Sequence, residues 1–168
     1  MRETPLNVDV KSSKPARVLA LDYGRVRIGL AIADLETALA QPLGTLDRIN
    51  RNEDMRRLRE LIREHGVQQI VVGLPLRLDG TRGDMAEEAA RFGQRVHKQL
   101  GVPVEMVDER LTSWEAERLL EERQGRTIHT PPSKKHKKEK EKLGVDAIAA
   151  ALILKEYLDR RHAVQEAE

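Results

Sequence analysis

Cysteine is absent from the 168 residues, which excludes a disulfide framework and any thiolate metal site and fits a reducing cytoplasm. Aromatic residues make up 2% of the chain, too few for a single-strand binder built mainly on base stacking. No stretch approaches the run of about twenty apolar residues that spans a bilayer, and the opening MRETPLNVDVKSSKP holds no apolar leader segment. A soluble cytoplasmic protein without membrane partners is the expectation. Net charge is only +2, so bulk charge selects no partner and local surpluses carry the information.

What is present is an orderly succession of short elements. The length suits a single domain over residues 16–160, between a loose tail at 1–15 and a polar tail at 161–168. RVLALDY reads as a buried strand, and residues 28–34 as its antiparallel hairpin partner across the GRVR turn. Residues 42–49 suit an edge strand, where Pro42 and Gly44 cost least. The period then changes: Met55, Leu58, Leu61 and Ile62 mark one face of a helix opened by Glu53 and Asp54 and stopped at Gly66.

Residues 69–73 form a short Ile and Val strand. Asp84 with Glu87 makes a cap-like pair before a helix striped by Met85, Ala89, Phe92 and Val96 and ended by Gly101. Residues 103–107 are the next strand, and Thr112 with Glu115 is a capping box for a helix carrying Trp114, Leu119 and Leu120. Residues 124–142 include PPSKKHKKEKEK, which has nothing apolar to bury and reads as a mobile basic loop. An Ala-rich helix, LGVDAIAAALILKEYLDRR, follows. Two strand, helix, strand units after a hairpin imply an α/β fold: a mixed five-stranded sheet, the later strands parallel to the first, with helices on both faces.

Three acids stand out. Asp22 ends a run of apolar strand residues, where an ionised carboxylate is costly without a cation or several hydrogen bonds, although an Asp capping the DYG turn is the plainer alternative. Glu109 lies just past an apolar strand, at the end where α/β proteins place ligands. Asp146 shares a helical stripe with Ala149, Ala150, Ile153 and Tyr157, and the small neighbours Ala147, Ala149, Ala150 and Ala151 would let that helix approach the sheet closely. Carboxylates converging there would raise one another's pKa, whereas divalent cations keep them ionised. Hard oxygen donors point to Mg²⁺ or Mn²⁺, and two such ions roughly 3.5 to 4 Å apart activate water and stabilise the leaving oxygen of a phosphodiester.

In LALDYGRVRIGLAIAD, IVVGLPLRLDGT, VDERLTSWEA and GVDAIAAALIL the chain resembles the YqgF/RuvX family, a Holliday-junction-resolvase-like branch of the RNase H-like superfamily. The resemblance runs over about residues 17–157. It implies an RNase H-like fold and nuclease chemistry on RNA, as in maturation of the 16S rRNA 5′ end, or on branched DNA such as Holliday junctions. It also implies Asp22, Glu109 and Asp146 as the metal-binding catalytic acids. If the 69–73 strand lies between the first strand and the 103–107 strand, the outer two are roughly 9 to 10 Å apart, so Glu109 must curl back across GLP, and Asp108 stands as its substitute.

Nucleic-acid contacts are expected from Arg25 and Arg27 in the hairpin turn, from Arg110 through a bidentate phosphate contact, and from Lys134, Lys135, Lys137 and Lys138 of the basic loop. The segment holding Gly73, Pro75, Asp79, Gly80 and Thr81 is expected to border the substrate. A homodimer is expected by analogy with resolvases, which need two sites on a symmetric junction. Two other classes compete. Asp22, Gly24 and Gly29 also suit the phosphate loop of two-lobed sugar-kinase and actin-type ATPases, and an RNase H-like scaffold that binds structured RNA without cutting it would keep the same basic segments.

Overall fold

A computed structural model describes residues 16–110 and 144–168. The described elements are β1 (Arg17–Tyr23), β2 (Arg27–Asp34), β3 (Gln41–Asp47), α1 (Arg51–His65), β4 (Val67–Leu74), α2 (Asp84–Leu100), β5 (Val104–Asp108) and α3 (Val145–Glu166). They form one mixed sheet in the order β3-β2-β1-β4-β5, with β1–β2 and β2–β3 antiparallel and β1–β4 and β4–β5 parallel. The Pro-containing strand does lie at an edge, and its register with β2 slips between Leu30 and Ala31, opposite Gly44 and Pro42.

Strand alternation sorts the apolar residues into two cores. On one face Leu19, Leu21, Ile28, Leu30, Ile70 and Val72 meet Met55, Leu58, Phe92 and Val96 of α1 and α2. On the other, Val18, Ala20, Ala31, Ala33, Val71 and Val107 meet Ala150, Ile153, Leu154, Tyr157 and Leu158 of α3. The α3 face is the one built from small residues, so its helix sits close to the strands.

Helix ends differ from expectation for local reasons. The α1 cap is Asn50, whose Oδ1 accepts from the Glu53 N–H at 2.9 Å. Asp54, one of the two acids expected to open this helix, is 1% exposed and accepts from Arg48 Nε at 3.1 Å and from the Ile49 N–H at 3.0 Å. Asp84 is the first residue of α2, after Gly83, and no side chain caps that helix. Gly66 and Gly101 end α1 and α2 at φ 65° and 68°, a left-handed conformation that glycine adopts without strain. The last helix continues through Glu166, across residues expected to be a tail. The expected helix at Thr112 and Glu115 and the 124–142 loop lie outside the described residues.

Candidate active site

Asp22 is the penultimate residue of β1, and the two-residue period that buries Val18 and Ala20 against α3 turns its carboxylate to that face. Its cross-strand partner on β2 is Gly29. A Cβ on Gly29 would overlap the Asp146 carbonyl oxygen, so the missing side chain is what lets the first turn of α3 settle beside Asp22. On the other flank, the β1–β4 register sets Leu21 beside Val72, which brings Gly73 level with Asp22. A Cβ on Gly73 would overlap the Glu109 carboxylate. Glu109 therefore crosses an open lane in β4 and reaches Asp22, with which it shares a hydrogen bond.

The choice between Asp108 and Glu109 follows from the same alternation. Val107 packs on the α3 face and Met106 on the other, so Glu109 leans toward Asp22 and Asp108 away from it. The Glu109 N–H donates to the Leu74 carbonyl at 3.1 Å, which carries the chain back over β4. Asp108 is instead taken by Arg110, through Nη2 to Oδ2 at 2.7 Å and the Arg110 N–H to Oδ1 at 2.9 Å. Its carboxyl is held below the usual range by that partner. Asp108, the expected substitute for Glu109, is thus engaged on the side away from Asp22, and the Arg110 fork already has a carboxylate.

Both Asp22 and Glu109 titrate above the usual carboxylate range, burial being the largest cause for each. Burial raises Asp22 to about 6, with the Asp146 charge adding to it and the Glu109 hydrogen bond opposing it. Burial raises Glu109 to about 8, followed by the charge and the hydrogen bond of Asp22 and by the Asp108 charge. Two carboxyls in contact titrate as a pair, and the pair holds its proton to higher pH than either group would alone in water.

Asp146 is near enough for its charge to act on Asp22, but its carboxylate turns to Arg27, with Nε to Oδ2 at 3.1 Å and the Asp146 side chain 37% exposed. The buried stripe of α3 runs through Ala147, Ala150, Ile153 and Leu154, so Asp146 lies at its margin and not within it. Among the described residues no three acids are gathered closely enough to hold a metal ion as they stand. The structure brings two acids together and places the third one ion pair away.

The remaining candidates divide. Arg27 faces Asp146, whereas Arg25 holds Glu88 at 2.7 Å. Gly73 belongs to β4, and the loop after it carries Pro75 and the Asp79–Thr81 turn. There Asp79 accepts from the Thr81 N–H at 2.9 Å and Oγ1 at 2.7 Å, and Gly80 takes φ 87° beside the Arg110 guanidinium. Lys134, Lys135, Lys137 and Lys138 lie outside the described residues. The signal in the sequence for the approach of α3 is Gly29 itself, a glycine inside a strand, which marks a close approach by another backbone.

A hairpin leading into parallel strands, with acids at the carboxyl ends of β1 and β5, defines an RNase H-like α/β protein. The fold is similar to that of Thermus thermophilus RuvC in complex with a Holliday junction substrate, at a TM-score of 0.51 and 15% identity over 88% of this chain and 96% of that one. Residues 16–160 match the RuvX family, described as Holliday junction resolvase. Relatives named "Putative pre-16S rRNA nuclease" include one from Anaeromyxobacter sp. (strain K), 44% identical over 86% of this chain and 98% of its own. One from Thermosynechococcus vestitus is 41% identical over 89% and 92%, and one from Chloroflexus aurantiacus 40% identical over 87% and 88%. The chain belongs to the RuvX family. Among the described residues no helix is long and apolar enough to cross a membrane.

Proposed function

We propose that this chain is a metal-dependent nuclease that hydrolyses phosphodiester bonds in structured RNA of the pre-16S kind named for its relatives, with branched DNA as the second substrate to test. One observation carries the reading: Glu109 crosses Gly73 to form a hydrogen bond with Asp22 at the carboxyl end of the sheet. Two half-buried carboxyls whose ionised forms repel are costly for the fold, and their all-oxygen donor set suits Mg²⁺ or Mn²⁺. Asp22 and Glu109 would hold such ions, with Asp146 as third donor once it parts from Arg27. Two divalent ions bound there supply water activation and stabilisation of the leaving oxygen.

The protein's own part is placement. Gly29 and Gly73 keep the lanes on either side of Asp22 free of side chains, so backbone and carboxylates converge where alanines would separate them. Arg27, freed from Asp146, is left facing the phosphate that the acids engage. Arg110, held in plane by Asp108, borders the Asp79–Thr81 turn and shapes that side of the groove.

A cleavage panel tests the reading, with precursor RNA, single strand and four-way junction each supplied with Mg²⁺ and then Mn²⁺. The wild type should cut at least one substrate, and Asp22→Asn should lose about a thousandfold or more in rate while retaining binding. Binding without cleavage by either protein would leave a scaffold that holds RNA. Paired, symmetric cuts in the junction require two sites, so sedimentation of that complex should then report a dimer.

A further inference from the structure

Tyr23 follows Asp22 directly, so its side chain falls on the opposite face of the same strand end. There it floors a second concavity of about 290 Å³, lined by Tyr23, Arg48, Arg51, Glu88, Arg91 and Arg95. Two of these charges are matched. Arg48 is held by the buried Asp54 at 3.1 Å and also donates to the Tyr23 hydroxyl at 3.1 Å, while Glu88 is held by Arg25 at 2.7 Å.

The other three have no carboxylate within ion-pairing distance among the described residues, and Glu88, whose titration the Arg91 charge also lowers, is already held by Arg25. Among the described residues no ion pair is formed by Arg51, which opens α1, or by Arg91 and Arg95, one turn apart on α2. Arg95 is half-buried, and its proton is disfavoured first by burial and then by Arg51, Arg48 and Arg91. Three like charges around one hollow cost free energy that an entering anion would relieve.

The lining also selects the kind of anion. Arg48 lies 5.0 Å over the Tyr23 ring and the buried Phe92 ring packs against Tyr23 at 5.1 Å, tilted by 40°, so the one aromatic ring of the lining is already engaged and offers a base little to stack upon. Guanidinium forks without a stacking platform recognise phosphate oxygens and ignore base identity. We propose that this arginine pocket binds a backbone phosphate of the nucleic acid whose neighbouring segment lies at Asp22 and Glu109. A chain laid over the carboxyl edge of the sheet would meet the acids on one face and the arginines on the other. The identity of the ligand rests on the nuclease reading, whereas the existence of an anion site does not.

The test uses Asp22→Asn as the background protein in EDTA, so that cleavage and metal play no part. Anisotropy of a fluorescent RNA stem–loop and a fluorescent four-way junction is followed across a salt series. Adding Arg91→Ala with Arg95→Ala should weaken binding about tenfold and flatten the slope of log K against log salt by about 0.7 to 0.9 for each phosphate lost. Lysine at both positions should restore the slope. Arg91→Glu, on the exposed side of α2, provides a second variant whose folding does not depend on Arg95, and it should weaken binding at least as much.

Unchanged affinity and slope in folded variants would overturn the proposal. So would inorganic phosphate or ATP bound by the parent and lost by the double variant while nucleic-acid binding stays the same, since the pocket would then serve a small free anion. A flattened slope in a protein that cuts nothing would leave the pocket standing and remove the nuclease reading, and the converse result would do the reverse.

Discussion

The two faces of the sheet reach the same strand end with opposite means. Against α3 the strands present Ala20, Gly29, Ala31 and Gly73, and closeness is achieved by leaving side chains out, so that acids from β1, from the turn after β5 and from α3 approach one another. Against α1 and α2 they present Leu19, Leu21, Ile28 and Val72, where volume fills the space and arginines gather above it around Tyr23. Adjacent residues of one strand, Asp22 and Tyr23, thus open onto an acidic site and a basic one. One face is organised by the absence of atoms and the other by their presence, so opposite substitutions should break them.

The largest effect is expected on the filled face. Phe92→Ala, at a residue 1% exposed and packed on Tyr23, should cost about 3 to 5 kcal/mol in denaturant unfolding through the cavity it leaves. The open face should fail by addition. Gly29→Ala places a methyl group against the Asp146 backbone and should cost about 1 to 3 kcal/mol, with cleavage falling far more than stability because α3 is pushed away from Asp22. If Gly29→Ala cleaves at the parental rate, the closeness of α3 is not what the acids need.

That contrast also explains what was legible in the residues themselves. The strands, the helix faces and helices on both sides of the sheet followed from period-two and period-3.6 patterns, because burial on one face leaves a regular trace, whereas the place of β4 between β1 and β5 stayed conditional. The α1 and α2 ends at Gly66 and Gly101 were legible for a similarly local reason. The burial of Asp54 was not legible because an acid in a first turn is ordinarily solvated, and its partner Arg48 lies before the helix, where no periodicity ties the two together. The meeting of Glu109 with Asp22 was open to doubt since it depends on β4 lacking a side chain at Gly73, a matter of register between strands far apart in the chain. The arginine pocket draws on β1, the segment before α1, α1 itself and α2, and no local pattern ties those four stretches together.

A smaller effect should separate the faces by pH. The acid pair titrates high, Asp22 from 3.8 to about 6 and Glu109 from 4.5 to about 8, so between pH 5 and 8 the folded protein holds protons that the unfolded chain has released. Stability from this pair is greatest below the unfolded values and is lost as pH rises through the folded ones, by up to about 1.4 kcal/mol per pH unit for each proton retained. Carboxylates with lowered titration on the other face and in the loops, such as Glu88 and Asp79, are already ionised in that window and should not add to the slope. Melting temperatures in EDTA should therefore fall from pH 5 to pH 8. Asp22→Asn should flatten the fall, and Mg²⁺ should raise the curve most at its alkaline end. An equal slope in Asp22→Asn would place the titration elsewhere.

The smallest change in stability with a sharp functional reading is expected at the joint between the acid site and the hairpin turn. The Arg27 and Asp146 side chains are 57% and 37% exposed, so their 3.1 Å pair is screened and should contribute at most about 1 kcal/mol. Arg27→Gln should scarcely move the unfolding midpoint. The same change removes the cation that now occupies Asp146, which becomes available to complete the set begun by Asp22 and Glu109. Mn²⁺ affinity, read by calorimetry without nucleic acid, should therefore tighten severalfold, whereas Arg25→Gln, whose partner Glu88 lies on the other face, should leave it unchanged. Equal Mn²⁺ affinity in parent and Arg27→Gln would mean that Asp146 stays outside the ligand set even when nothing holds it back.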